Sequence, residues 1–214
     1  MGMFVNPDNS AFQVALNSEI YVDKTGMLEY TNKVINTLQG YICNSRPRRF
    51  GKSVTANMLA AYYSKGCDSR EMFSTLKISE SIGFEKNINK YDVIYIDFSR
   101  LPENCQTYEE YINRIKTGIK EDLLEEFPEL ELKEEMSLWD ILAKIFQKTN
   151  RKFMFIMDEW DAVFHMPFIS QKERQEYLLF LKNLLKDQVY VELAYMTGIL
   201  PIAKYSAASE LNMF

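Results

Sequence analysis

The strongest constraint on this chain is the octapeptide Arg46-Pro47-Arg48-Arg49-Phe50-Gly51-Lys52-Ser53. It stands between a short apolar segment, Tyr41-Ile42-Cys43, and a helix-compatible run at 54–65 (VTANMLAAYYSK). Strand, turn-rich loop and helix in that order build a phosphate cradle, because successive backbone N–H groups and a helix N-terminus converge on one anion. The octapeptide matches G-x-x-x-x-G-K-[ST] except at its first position, where Arg46 stands for glycine. In such a loop Lys52 reaches the β and γ phosphate oxygens of ATP, the Ser53 hydroxyl binds Mg²⁺, and Gly51 lets the backbone approach closely. Arg48, Arg49, Phe50 and Val54 complete the expected nucleotide contacts. Arg46 tolerates positive φ poorly, so the opening turn must differ from a glycine-led one or carry strain. Taken alone, the octapeptide is also compatible with a basic loop ahead of a helix and no ligand.

The rest of the chain alternates strand and helix patterns. A short extended run at 20–22 precedes a helix over 27–38, marked by Met27, Tyr30, Val34, Ile35 and Leu38 and closed by Gly40. Residues 92–98 (DVIYIDF) read as a strand, followed by a helix with Tyr108, Ile112, Ile115, Ile119 and Leu123 on one face. The acidic stretch 121–135, broken by Pro128, reads as a solvated helix end and loop, and Leu138, Leu142 and Ile145 mark the next helix. Five consecutive apolar residues, 153–157, fit a parallel strand buried on both faces. A helix stripe at Tyr177, Leu178, Leu181, Leu184 and Leu185 leads into a fourth strand at 189–196, ending at Thr197-Gly198.

This order predicts an α/β domain of three layers, α/β/α, with a mainly parallel sheet and right-handed crossovers. A fifth strand, usual beyond the loop strand in such domains, is not legible before Phe214. The terminal ASELNMF reads as an opening helix with Ser209 as its cap. Residues 1–214 are therefore expected to form one nucleotide-binding domain, the N-terminal part of a longer protein.

The acidic pair Asp158-Glu159, at the end of the buried apolar strand, raises the weight of the loop. Hydrolysis of ATP needs a carboxylate near the metal and a group that orients the attacking water. Asp158 is the metal-side candidate with Ser53; Glu159 is the candidate base. The strand at 92–98 falls between the two motifs in sequence, which points to an arrangement where an extra strand separates them in the sheet. Thr197, at the tip of the fourth strand, would face the γ-phosphate region as a polar sensor. Asp161 reads as a helix cap, Trp160 as packing and His165 as structural. Arg48, Arg49 and Arg100 are all candidates for an arginine acting in trans.

Composition excludes several other classes. With 25 Lys and Arg against 30 Asp and Glu, the net charge is −5, a field that repels nucleic acid. Three cysteines in separate segments make neither a disulfide framework nor a zinc site, and one histidine excludes a histidine cluster. The N-terminus lacks a basic segment followed by an apolar core, and the apolar runs are too short to span a bilayer. A reduced, cytoplasmic setting without membrane contact is expected; oligomeric state is open.

The segments YVDKTGML, SRPRRFGKS, DEWDAVF and TGILPIAKYS resemble those of the AAA-ATPase-like family of bacterial and archaeal P-loop proteins, in the same order and over residues 21–214. The resemblance makes Arg46 a family feature. It implies an ATP-binding domain of the additional-strand, catalytic-glutamate type, with contacts on Gly51, Lys52 and Ser53 and the acidic pair at Asp158 and Glu159. It also implies adenine near Val22-Asp23-Lys24, and a C-terminal nuclease-like domain of the PD-(D/E)xK type that does not fit within 214 residues. The expected activity is ATP·Mg²⁺ binding and hydrolysis coupled to a partner or following domain. A nucleotide-bound switch with negligible turnover and a protein-interaction module without nucleotide are the alternatives.

Overall fold

The structure, a computed structural model, describes residues 2–202 and 211–214. Four strands form one parallel sheet: β1 (Tyr41–Ser45), β2 (Asp92–Asp97), β3 (Phe153–Asp158) and β4 (Val191–Gly198), in the spatial order β1-β4-β3-β2. The helices are α1 (Ser10–Leu16), α2 (Gly26–Val34), α3 (Lys52–Tyr63), α4 (Arg70–Phe73), α5 (Phe84–Asn87), α6 (Tyr108–Glu126), α7 (Leu138–Thr149) and α8 (Gln171–Leu185). Thr107 with Glu110 and Ser170 with Glu173 form capping boxes that start α6 and α8, each closing two otherwise unpaired N–H groups.

Strand alternation divides the core into two layers. Ile94, Ile96, Phe153, Phe155, Met157, Ala194 and Met196 face one way and pack with α6, α7 and α8. Val93, Met154, Ile156, Leu193 and Tyr195 face the other way and pack with α1 to α5. The result is the expected three-layer α/β/α architecture. β3 is buried throughout, as its unbroken apolar run requires, whereas β1 is half-buried at the sheet edge. Among the described residues no strand pairs with the outer edge of β1.

An extra strand does separate the two motif strands, but it is β4; β2 lies at the far edge. The outer side of β2 is itself covered. Val5 pairs with Ile94 in an antiparallel bridge, flanked by Asn6 N–H to Val93 O (2.7 Å) and Tyr95 N–H to Phe4 O (2.8 Å). Asp122, within the acidic stretch, holds this segment by accepting from the Phe4 and Val5 amides at 2.6 and 3.0 Å. Part of that stretch is therefore an anchor rather than a solvated helix end.

The second helix stops at Val34, not Leu38. Asn36 adopts the left-handed conformation (φ 56°), and the Thr37 hydroxyl and amide both donate to the Val34 carbonyl, closing the turn and leaving Leu38 in solvent. Residues 20–22 form no strand, and Ile20 and Val22 are exposed. The proposed Ser209 cap lies outside the described residues. No helix of the described residues is long and apolar enough to cross a membrane.

Candidate functional site

Parallel register brings one end of every strand to the same edge. Asn44 pairs with Thr197, and Asp97 with Asp158, so the loop after β1 and the acidic residues ending β2 and β3 share the carboxyl edge of the sheet.

The loop departs from a glycine-led one in the way Arg46 demands. Arg46 N–H continues the ladder to Gly198 O at 3.1 Å, and Arg46 is not among the residues with positive φ. The left-handed positions fall instead at Arg49 (φ 69°) and Gly51 (φ 72°), so the turn is displaced toward the helix and any strain sits on Arg49. Gly51 is the N-cap of α3 and Lys52 its first residue. Lys52 is buried, and its ammonium donates to the Pro47 carbonyl across the loop at 3.2 Å. The amides from Arg48 to Val54 have no backbone acceptor among the described residues, the first such bond being Thr55 N–H to Gly51 O at 3.0 Å. A run of unpaired N–H groups at a helix start, with an ammonium across it, suits a phosphate group.

The acidic side is tightly held. Thr197 Oγ1 donates to Asp158 Oδ1 and accepts the Glu159 N–H at 3.2 Å. Thr197 is fully buried, so it lies between the two acidic residues instead of presenting an open polar tip to a phosphate. Glu159 itself takes the left-handed conformation (φ 50°, ψ 49°), a strained geometry for a side chain of this size. Burial pushes the Asp158 carboxyl up, the hydroxyls of Thr197 and Ser53 act against that, and Asp97 adds to it. Burial and then the Asp158 charge push Glu159 up, while Lys52 pulls it down. The loop and the acidic pair thus lie together at the carboxyl edge of the sheet, on either side of β4.

Asp161 is not a helix cap. Its buried carboxylate accepts the Ile199 and Leu200 amides at 2.9 and 2.7 Å and so fixes the chain as it leaves β4. Trp160 packs against Gly198, where a side chain would collide with its indole, and His165 is exposed at the end of the turn Trp160–His165. Arg48 and Arg49 are exposed, and Arg100 is tied to Asp97 (Nε to Oδ2, 3.0 Å). Asp97 carries no sequence signal beyond ending β2 as Asp158 ends β3.

Among the described residues no group of three or more His, Cys, Asp or Glu side chains is arranged to hold a metal. Ser53 and Asp158 supply two oxygen donors, a set that fits Mg²⁺, which keeps several waters and takes few protein ligands. Beside the loop lies a cavity of about 370 Å³ lined by Tyr21, Val22, Lys24, Phe50, Gly51 and Val54, which brings the 22–24 segment against the cradle.

A sheet in which the loop strand and the acidic strand stand on either side of β4 is the arrangement of P-loop proteins with an added strand between their two motifs. The chain is accordingly a nucleotide-binding P-loop protein of the ATPase type. It belongs to the AAA-ATPase-like family, described as "Predicted AAA-ATPase", whose model matches residues 10–208. No curated protein matches it. Among solved structures it is similar to the ORC2 protein of Aeropyrum pernix, determined as ADPNP–ADP complexes, at 13% identity and a TM-score of 0.43. That alignment covers 97% of this chain and 50% of the ORC2 chain, so the chain spans half the length of that protein.

Proposed function

We propose that this chain binds ATP with Mg²⁺ at the carboxyl edge of its sheet and hydrolyses it. The observation that carries the reading is the convergence of two separate sequence motifs: parallel register on either side of β4 brings the loop after β1 and the acidic pair ending β3 to the same carboxyl edge. Lys52 neutralises phosphate charge, and Arg48, Arg49, Phe50, Gly51 and Val54 line the nucleotide. Ser53 and Asp158 would hold Mg²⁺, which would supply charge neutralisation at the phosphates. Glu159 accepts a hydrogen bond from the attacking water, and Thr197 positions both acidic residues. We further propose that the domain works in the cytoplasm as the N-terminal part of a longer protein, passing its nucleotide state to a partner or a following domain.

One observation favours slow turnover by the chain alone. Arg100 is engaged by Asp97, and Arg48 and Arg49 make no ion pair, so among the described residues none of the three bonds to Asp158 or Glu159. An arginine supplied from outside can add about 10³–10⁵ in rate. Equilibrium ATP binding measured beside phosphate release separates the readings. Binding with turnover supports an ATPase; binding without it, a switch. No binding, with no rise in melting temperature on adding ATP, would leave only an interaction module.

A further inference from the structure

The segment Asp23-Lys24-Thr25 is built so that its outer members point one way and its middle residue the other. Asp23 Oδ1 accepts from the Thr25 amide and hydroxyl at 2.8 and 2.7 Å, and Asp23 Oδ2 accepts from Lys77 N–H at 2.9 Å. Thr25 Oγ1 accepts from Ile78 N–H at 3.2 Å, and Thr25 is fully buried. Both side chains are thereby fastened to the 3₁₀ turn Lys77–Glu80. Lys24, between them, reaches the phosphate loop and donates to the Phe50 carbonyl at 2.6 Å. Its ammonium occupies the place where a side chain on residue 51 would begin, so a larger residue there would displace Lys24, and the φ of 72° itself favours glycine.

The Phe50–Gly51 peptide is planar and trans, so its C=O and N–H point in opposite directions. Fastening the carbonyl to Lys24 therefore fixes the Gly51 amide on the side away from Lys24. No other described residue donates to the Phe50 carbonyl, and glycine next to a peptide leaves it free to rotate. We propose that Lys24 is a positioning residue of the nucleotide site. It holds the Phe50–Gly51 peptide so that the Gly51 N–H is offered to the phosphates. The inference rests on the ATP-binding reading and assigns Lys24 to the loop backbone, not to the base.

The bond is exposed, so its loss changes the stability of the nucleotide-free fold little. That separates positioning from a merely structural tether. Calorimetry with ATP and with ADP on the parent, Lys24→Met and Lys24→Arg, beside the melting temperature of each nucleotide-free protein, makes the test. Lys24→Met is expected to weaken both nucleotides by about tenfold or more, the range of a charged hydrogen bond, at unchanged nucleotide-free melting temperature. Lys24→Arg, which keeps charge and donors, recovers most of that loss. The proposal is overturned if Lys24→Met binds within about twofold of the parent. It is also overturned if the loss comes with a matching fall in melting temperature, or if arginine recovers none of it. A parent that binds neither nucleotide sinks the ATP reading and this inference with it; a parent that binds beside an unaffected Lys24→Met sinks this inference alone.

Discussion

The two ends of the same strands hold buried acidic groups with different partners, although burial pushes both Asp92 and Asp158 up. At the amino end, Asp92 opens β2 and is matched on every side: Arg151 Nε and a terminal nitrogen donate at 2.8 and 2.6 Å, Lys65 at 2.8 Å and Asn6 at 3.1 Å. Glu126 joins Lys65 at 3.0 Å, and the Arg151 guanidinium lies 4.2 Å from the centre of the Phe127 ring. At the carboxyl end, Asp158 is held by hydroxyl groups and Asp161 by amides. Among the described residues the only ion pair there joins Asp97 to Arg100, whose side chain is 76% exposed. One cluster is a closed charge balance that ties strands together; the other retains negative charge at the price of stability. Uncompensated carboxylates facing a lysine-bearing loop are what a site for a cation and a polyanion needs.

The contrast is broken most directly at Lys52. Lys52→Ala removes the buried ammonium of the loop and should weaken ATP by about a hundredfold or more in calorimetry. Unchanged affinity would separate the loop from nucleotide binding altogether. At the other end, Arg151→Met leaves Asp92 with Lys65 as its one remaining cation and should cost about 2–3 kcal/mol of stability, read from denaturant unfolding. ATP affinity should stay where it was, since that end of the sheet faces away from the loop.

The smallest effect has the sharper sign. Asp158 titrates above the ordinary aspartate range in the folded chain, chiefly through burial, so the native state binds more protons than the unfolded one across the window between the two values. Stability therefore falls as pH rises through that window and stays lower above it. Asp158→Asn keeps an oxygen for the Thr197 hydroxyl while removing the charge. It should melt higher than the parent at neutral pH, with the gain vanishing as pH drops below the ordinary aspartate value. A variant that melts lower than the parent at neutral pH would mean that the carboxylate is stabilising where it sits.

Period and motif explain why the carboxyl edge was legible before the structure. The apolar run ending at Asp158-Glu159 had to be a buried strand, and the Gly51-Lys52-Ser53 sequence had to open a helix; parallel register then joins them. What escaped was the part carried by tertiary contact. Asp97 looks like any strand end until it pairs with Asp158, and Asp161 looks like a cap until β4 brings two amides to it. Asp122 reads as one more charge in an acidic stretch, although it holds the N-terminal segment on β2. The second helix ends at Val34 although Leu38 keeps helical spacing, because the left-handed Asn36 is a stop that periodicity does not register. Arg46 illustrates the reverse case: the sequence demanded an altered turn, and the positive φ is found at Arg49.

In the proposed function the loop binds and the acidic pair acts, within a single site. Glu159→Gln tests it, because the amide keeps the size and hydrogen-bonding capacity of the side chain and removes its basicity. ATP binding and phosphate release should be measured on the same preparation of this variant and of the parent. Parental affinity in calorimetry is expected, together with loss of whatever turnover the parent shows. Equal phosphate release by variant and parent would contradict it and move the base away from Glu159.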